Sequence, residues 1–481
     1  MMSLAMNKNN ARAKTLASMS DMQRSPVGSD KNNALSRPEM PEAELRRAAW
    51  TCSIGSAMEY YDFALYSLAS ALVFGPLFFP SNIPGLGLVA SFATYFIGFA
   101  VRPIGGIVFG RLGDRHGRKK VLLITVTLMG LASALIGLIP SYASIGIAAP
   151  LLLVLLRMAQ GFGAGAEQAG AAVMMTESAP RKRRGYYAAL PFLGIQLGTV
   201  TAGIIYYAML TGVPDITQTM LWRVPFIGSA LLLVIALYMR LRLKESPTFE
   251  QIENDERREE VMSIRETLTA SWRPILAGLG LRMAENGGSS IYQVLAISYL
   301  VHTIGMSSRW GTLVLIGAAV VGGITIPVAG LLSDRFGRVR VYRGFAILQA
   351  VSALPVWYVF SQGDPLNSAI ALSFALGVAT WGMFGTQGAF LPEMFGLRHR
   401  YTAVSFTREF SSVIAGGVSP MVGQFLIAMF ARFHIGGISS GKYAWIPLAS
   451  YVVLLAGLAI VATFYIPETR GRDLLAQEDA L

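Results

Sequence analysis

GRLGDRHGRKK, from Gly110 to Lys120, puts six charged side chains between two strongly apolar stretches, RPIGGIVF before it and VLLITVTLMGLASALIGL after it. The same wording returns in the later part of the chain as GLLSDRFGRVR, from Gly330 to Arg340, with Gly, Leu, Asp-Arg and Gly-Arg in one register. An apolar chain that writes one charged loop twice at matching places is built from two similar halves. Other landmarks repeat in step. ESAPRKRRGYYA from Glu177 resembles EMFGLRHRYTA from Glu393, and WRVPF from Trp222 resembles WIPL from Trp445. Glu245 and Glu468 are separated by the same interval as Trp222 and Trp445.

The 481 residues are 53% hydrophobic and only 14% charged, against roughly a quarter charged in an ordinary soluble domain. Apolar runs of about 20 residues recur, each long enough to cross a hydrocarbon core. The pattern predicts an all-α membrane protein with twelve spans near 50–79, 88–110, 121–140, 147–175, 186–210, 222–241, 272–301, 310–332, 341–361, 367–392, 402–431 and 443–466. Residues 1–49 are expected to be a disordered tail, 50–241 one six-helix bundle, 242–271 a charged connector, 272–469 the second bundle and 470–481 a short tail. Two parallel repeats about an axis along the membrane normal are a transporter design.

With the N-terminus inside, 32 of the 40 Lys and Arg fall in inside segments and three, Arg309, Arg432 and Lys442, fall outside. That split follows the positive-inside rule. The net charge of +12 therefore reflects topology and the anionic inner leaflet as a partner, with no call for nucleic acid. One cysteine excludes an internal disulfide, and the four scattered histidines show no metal-ligand spacing. GGISSGK (Gly436 to Lys442) only approximates a phosphate-binding loop and lacks its strand–loop–helix setting. No nucleophile–base set is visible, so an enzyme is not expected, and neither is a cofactor beyond a coupling proton.

GRLGDRHGRKK resembles the signature of the major facilitator superfamily, Gly-x-Leu-Ala-Asp-Arg/Lys-x-Gly-Arg-Arg/Lys-Arg/Lys, departing only at Gly113, a minor exchange of small residues. RMAQG at Arg157 to Gly161 resembles its Arg-x-x-Gln-Gly motif. GSAMEYYDFALYS (Gly55 to Ser67), RPIGG (Arg102 to Gly106), RMAQGFGAGAE (Arg157 to Glu167), ESAPRKRRG and KESPTF look like the metabolite:proton symporter family over about residues 50–470. That family includes 2-oxoglutarate, shikimate, citrate and proline/betaine permeases. Its usual Gly-Gly-Glu is Gly165-Ala166-Glu167 here. The proline/betaine members carry a long C-terminal coiled coil, whereas this sequence runs only a short way past its last span, which counts against that subtype.

The resemblance implies a latch that locks the two halves on the inside, formed by Gly110, Asp114, Arg115, Gly117 and Arg118 and their counterparts Asp334, Arg335 and Arg338. Asp114 could sit near a helix N-terminus, which favours its charge by roughly 0.3–1 kcal/mol. Alternatively, the cations of the loop only set orientation.

Nine charges lie within spans, Glu59, Asp62, Arg102, Arg157, Glu167, Arg282, Glu285, Arg408 and Glu409. A charge at a helix centre costs about 2.5–3.5 kcal/mol on insertion scales, so it normally faces a cavity or a partner. Glu59 and Asp62 are three apart on one helix face, and two close carboxylates in a low dielectric cannot both ionise easily. They are the expected proton site, with Glu167 as the next candidate and Arg157 as a partner that releases an acid on protonation. Arg102 is expected to hold an anionic substrate, because a planar guanidinium binds carboxylates bidentately; the alternative is a pair with Glu59 or Asp62, and a substrate could displace that acid. Tyr66, Gln196, Arg282, Glu285, Tyr292 and Gln387 are expected to line the substrate site, with Trp381 a weaker candidate. Gly287-Gly288 would soften the seventh span for gating. The expectation is a proton-coupled symporter of a small mono-, di- or tricarboxylate in a bacterial inner membrane, working as a monomer. A zwitterion carrier, an exchanger or a sensor on the same fold are the alternatives.

Overall fold

Long runs of helix formers without polar interruption leave the backbone one way to satisfy its hydrogen bonds in lipid, and the described residues are accordingly almost all helix. The computed structural model describes residues 40–79, 86–212, 219–242, 263–420 and 445–481, and a few positions between 422 and 443. The expected tail before residue 40, most of the connector (243–262) and most of GGISSGK lie outside the described residues.

Among the described residues six long helices form the first half: α1 Glu42–Leu72, α2 Leu86–His116, α3 Arg118–Ile136, α4 Ala148–Ser178, α5 Arg184–Gly212 and α6 Arg223–Leu241. The second half begins with α7, which is Trp272–Arg282 continued to residue 303 by α- and π-helical turns. It goes on through α8 Ser308–Phe336, α9 Arg338–Ser361, α10 Pro365–Met394, α11 (Arg400–Ser411 and the π-helical Ser412–Gly417) and α12 Trp445–Ala462. A two-residue antiparallel pair, His434–Ile435 with Ile438–Ser439, lies between α11 and α12. Among the described residues nine helices are long and apolar enough to cross a membrane. The other three, α1, α7 and α11, carry the mid-span pairs Glu59 and Asp62, Arg282 and Glu285, and Arg408 and Glu409.

Two expected boundaries are corrected. The first helix starts at Glu42, inside the stretch read as tail, because Leu45, Ala48 and Ala49 are buried in a cluster with Met174, Met175 and Tyr187. The charged motif is also not a loop. Helix α2 runs on through His116, one glycine makes the turn, and α3 starts at Arg118. Gly117 has φ 96° and its counterpart Gly337 has φ 101° between α8 and α9. That left-handed backbone suits glycine, and it lets two helices join through a single residue in each half.

The halves meet with the same symmetry, α2 packing on α11 and α5 on α8. Glycines allow close approach within the first half. A methyl group on Gly165 would strike the Arg102 carbonyl of α2, and one on Gly105 would strike the Phe162 carbonyl of α4. Small residues of this kind are how membrane helices pack closely. Helices α7, α10 and α11 each contain π-helical stretches, at Met283–Gly287, Ile291–Leu295, Tyr299–Thr303, Ser373–Thr380 and Ser412–Gly417. Such bulges recur at functional sites, and here they flank the charged centre. Gly287-Gly288, expected to soften α7, sit where its first π segment ends.

Candidate functional site

Two constellations join the halves. The first lies at the end that carries the charged turns. Asp114, in the last turn of α2, accepts from the backbone N–H groups of Tyr401 (3.2 Å) and Thr402 (2.8 Å) and from the Thr402 hydroxyl (2.7 Å). These are first-turn donors of α11, so a carboxylate of one half caps a helix N-terminus of the other. Asp334 does the same in reverse, accepting from Gly185 N–H and Tyr186 N–H, both at 2.8 Å, at the start of α5. Arg118 lies 3.5 Å from Asp114 and 3.2 Å from Glu177, and Arg400 lies 3.0 Å from Glu177. In mirror image, Arg338 lies 2.8 Å from Asp334 and 3.1 Å from Glu393, and Arg184 lies 3.0 Å from Glu393.

The C-terminal segment straps over this end. Arg400 donates to the Leu474 carbonyl (2.7 Å) and Arg184 to the Arg472 carbonyl (3.0 Å). Asp479 accepts from Gly396 N–H at 2.8 Å and meets His399 Nε2 at 3.0 Å. Burial opposes the charge of Asp479, yet hydrogen bonds from His399, Ser271 and the Gly396 N–H hold its carboxyl below its ordinary range.

The second constellation is buried midway along the helices. Arg102 of α2 donates through Nη2 to Glu59 of α1 (2.6 Å) and through Nε to Glu409 of α11 (2.7 Å). Phe63 and Phe99 cover its guanidinium at 5.0 and 5.6 Å. Gln168 of α4 donates to Glu59 at 3.1 Å and accepts from Arg408 of α11. Arg408 also donates to Gln387 of α10 (2.7 Å), and Gln387 donates to Glu285 of α7 (2.7 Å). Arg282 closes the chain on Glu285 (2.5 Å) and on the Ser411 hydroxyl (2.6 Å). One polar network thus runs from α1 to α7 through both halves. Every charge in it has a polar partner, as burial demands.

Known proteins share this sequence pattern and this architecture. The family model described as sugar (and other) transporter matches residues 48–481. The shikimate transporter of Escherichia coli (strain K12) is 35% identical over 392 residues, 80% of this chain and 89% of that protein. A proline/betaine transporter of Salmonella typhimurium (strain LT2) is 34% identical over 452 residues, 90% of this chain and 85% of that protein. A solved structure of the major facilitator superfamily proton:xylose symporter XylE, bound to 6-bromo-6-deoxy-D-glucose, superposes with a TM-score of 0.71 at 16% identity, covering 91% of this chain and 99% of that one.

The chain belongs to the major facilitator superfamily. It is a multi-pass membrane transporter, not an enzyme. In this major facilitator chain the expected site residues divide into three groups. Arg102, Glu59, Gln387, Arg282 and Glu285 meet in the central network. Asp114, Arg118, Asp334 and Arg338, expected as a latch, lie in the caps and ion pairs that join the halves at the charged end, with Gly110 and Gly117 beside them, whereas Arg115 and Arg335 are exposed and stand outside them.

The remaining residues lie within one half, except Gln196, which stands beside Gly323 of α8. Asp62 shares its helix with Glu59 but not its surroundings. It accepts from Ser133 (2.5 Å) and Ser229 (2.7 Å) in the first bundle, so the expected carboxylate pair is replaced by two separately solvated acids. Ser133 also accepts from Gln160 (2.6 Å), which in turn accepts from Arg157. The Arg157 guanidinium lies 4.0 Å from the Tyr66 ring, and the Tyr66 hydroxyl meets Thr94 at 2.5 Å, so Tyr66 serves the first bundle. Glu167 pairs with Arg240 and accepts from Thr125 (2.9 Å). Tyr292 stacks on Trp357 of α9 with ring centroids 6.2 Å apart, which turns it toward its own bundle. Trp381 covers Gly322 of α8. Gln196 is buried with neither amide atom bonded among the described residues.

Gln168, Arg408 and Glu409 escaped the expected site. Arg408 and Glu409 stood among the nine in-span charges, which was a usable signal, while Gln168 had none beyond its place next to Glu167.

Gly113, the one departure from the family signature, is not a minor exchange. A methyl group there would run into the Tyr401 ring, and the Tyr401 hydroxyl donates to the Ala166 carbonyl at 2.9 Å. Gly113→Ala is therefore expected to lower the melting temperature, at an overpacking cost of about 1–3 kcal/mol. Adding Tyr401→Leu should restore it. An unchanged melting curve for the single variant would show that the ring yields freely.

Proposed function

We propose that the chain is a proton-coupled symporter of a small organic acid, cycling by alternating access, with the charged turns on the cytoplasmic side of a bacterial inner membrane. The observation that carries the proton role is Arg102 held at once by Glu59 of the first half and Glu409 of the second. A proton on Glu59 removes one of the two anions holding Arg102, and the link between halves weakens. Loss of that proton to the cytoplasm restores it. A proton carried in with a substrate of one carboxylate moves no net charge, so the pH gradient drives uptake, at about 1.4 kcal/mol per pH unit, roughly tenfold accumulation. The halves rock about the buried network, while the Asp114 and Asp334 caps close the cytoplasmic end. No cofactor other than the proton is called for, and one chain holds the whole network. The names of the relatives support a carboxylate-bearing substrate, since shikimate, proline and betaine each carry one. A zwitterion such as proline or betaine is the second reading, favoured by the Salmonella relative.

The test uses the purified chain in liposomes, with external pH recorded as shikimate, succinate, citrate, proline or betaine is added. Symport makes the outside more alkaline with the transported compound. Glu59→Gln should abolish that signal and leave exchange of labelled substrate for unlabelled substrate running. If Glu59→Gln carries protons as the wild type does, the assignment fails.

A further inference from the structure

Of the three arginines in the central network, two are already neutralised. Arg102 has Glu59 and Glu409, and Arg282 has Glu285. Arg408 differs. It is only 2% exposed, yet among the described residues no carboxylate lies within ion-pairing distance of it. Its Nη1 and Nη2 meet only the side-chain oxygens of Gln387 and Gln168, and its Nε has no partner. A buried cation whose direct partners are neutral amides, with Glu285 and Glu409 acting on it only from beyond ion-pair distance, is costly, so it can take an anion in direct contact.

We propose that Arg408 is the anchor for the substrate carboxylate, and that the site takes compounds with a single carboxylate. This rests on the reading of the chain as an organic-acid carrier, and it replaces Arg102 as the expected anchor. Three features support it. First, the position is central: Arg408 on α11 reaches Gln168 on α4 and Gln387 on α10, and its guanidinium lies 5.1 Å from the Phe192 ring of α5. It therefore faces both halves, as a site exposed alternately to each side must.

Second, the guanidinium edge is available. A carboxylate binds an Arg fork through two parallel N–H groups, and Nε with its neighbouring Nη2 offers them once Gln168 swings away. Both glutamines are amphoteric clamps. Each presents its oxygen to Arg408 and its amide nitrogen to an acid, Gln168 to Glu59 and Gln387 to Glu285. A substrate carboxylate that displaces the Gln168 oxygen also disturbs the hydrogen bond to Glu59, which ties binding to the residue proposed to carry the proton.

Third, a polar group stands ready for the rest of the molecule. Gln196 lies one turn along α5 from Phe192, hence on the same face. It is 2% exposed and neither its oxygen nor its nitrogen is bonded. It can hold a hydroxyl or carbonyl of the substrate. Among the described residues the network has no second buried cation without an acid in ion-pair contact, so a dicarboxylate would leave one charge unmatched and a tricarboxylate two.

The experiment measures equilibrium binding to the purified full chain in detergent, by thermal stabilisation, with no proton gradient. The probes are shikimate, its methyl ester, lactate, succinate and citrate. Shikimate or lactate should stabilise the wild type, while the ester, succinate and citrate should not. Arg408→Gln should weaken binding at least 100-fold, and Arg408→Lys, which keeps the charge but not the fork, about tenfold. The lysine variant guards against misfolding, and its own melting curve reports it. Wild-type affinity in either folded variant overturns the proposal, as does a preference for succinate, citrate or the ester, or a panel in which no monocarboxylate binds. Proton coupling is read separately in liposomes. Loss of the pH signal with Arg408-dependent binding intact would overturn the symport reading alone.

Discussion

Asp114→Asn is expected to lower transport more than tenfold while leaving substrate affinity unchanged. The carboxylate accepts two backbone N–H bonds and one hydroxyl bond from the first turn of α11. Hydrogen bonds to a charged group are worth about 1.5–3 kcal/mol against about 0.5–1.5 kcal/mol for neutral ones. The asparagine also turns one acceptor into a donor that faces other donors. Together these changes remove about 2–4 kcal/mol from the closed form, roughly a 30- to 1000-fold change in the ratio of closed to open. The caps exist only while the charged end is shut, whereas the central network does not touch them, so the loss falls on cycling and not on binding. A reporter follows from the packing. Ser405 of α11 is buried where Gly106 and Gly110 of α2 press on it. In a Cys52→Ala background, Ser405→Cys should be shielded from a membrane-impermeant thiol reagent and become reactive when Asp114→Asn is added. Equal loss of binding and transport, with the cysteine still shielded, would show that Asp114 supports the fold and not a latch.

How much of this could be read from the residues differs between the two constellations. The contacts between the halves at the charged end were largely legible. The motif and its second copy named Asp114, Arg118, Asp334 and Arg338, and the repeat that aligns Glu177 with Glu393 also aligns Arg184 with Arg400. Glu177 and Glu393 proved to be the ion-pair partners of the motif arginines Arg118 and Arg338, and Arg400 and Arg184 pair with those same glutamates. What the repeat did not reveal was that each aspartate reaches the opposite half, because a repeat reports equivalence and not contact. The turn geometry was misjudged for a local reason. Charged residues read as loop, but Gly117 and Gly337 need only one residue to reverse the chain, so the charges ride on helix ends.

The centre was less legible. In a soluble helix the polar face marks the solvent side, but α1 and α4 are apolar or small on nearly every side, so periodicity does not say which way a residue points. Glu59 and Asp62 illustrate this. Three-residue spacing put them together, but three residues fall short of a full helical turn. That angular offset sends one acid to Arg102 and the other to Ser133 and Ser229. Tyr66 and Tyr292 were misplaced for the same reason. The costly residues remained the best guide, since charges are tolerated in a span only where something meets them. All nine are indeed met by polar or aromatic groups, and five of them lie in the network between the halves together with Arg102.

Arg102→Lys should reduce transport about a hundredfold, equivalent to about 2.7 kcal/mol, in a protein that still folds. The argument is geometric. Arg102 uses two separate nitrogens, Nε for Glu409 and Nη2 for Glu59, and so spans acids that belong to different halves. An ammonium is a point charge on a flexible stem. It can approach one of the acids, and the other is then left buried without a cation, a situation that costs about 3–5 kcal/mol when a buried pair is broken. That acid responds by keeping its proton, so the cycle stalls with the proton bound. The distinguishing measurement is the division of the loss. With Arg408 as the carboxylate anchor, Arg102→Lys should leave the substrate affinity near that of the wild type and remove turnover. Glu409→Gln in the same background should restore part of the turnover, because the lysine then has a single acid, Glu59, to serve. If Arg102→Lys instead abolishes binding and Arg408→Gln does not, the two arginines exchange roles, and the substrate displaces an acid from Arg102 instead of occupying a cation that has none.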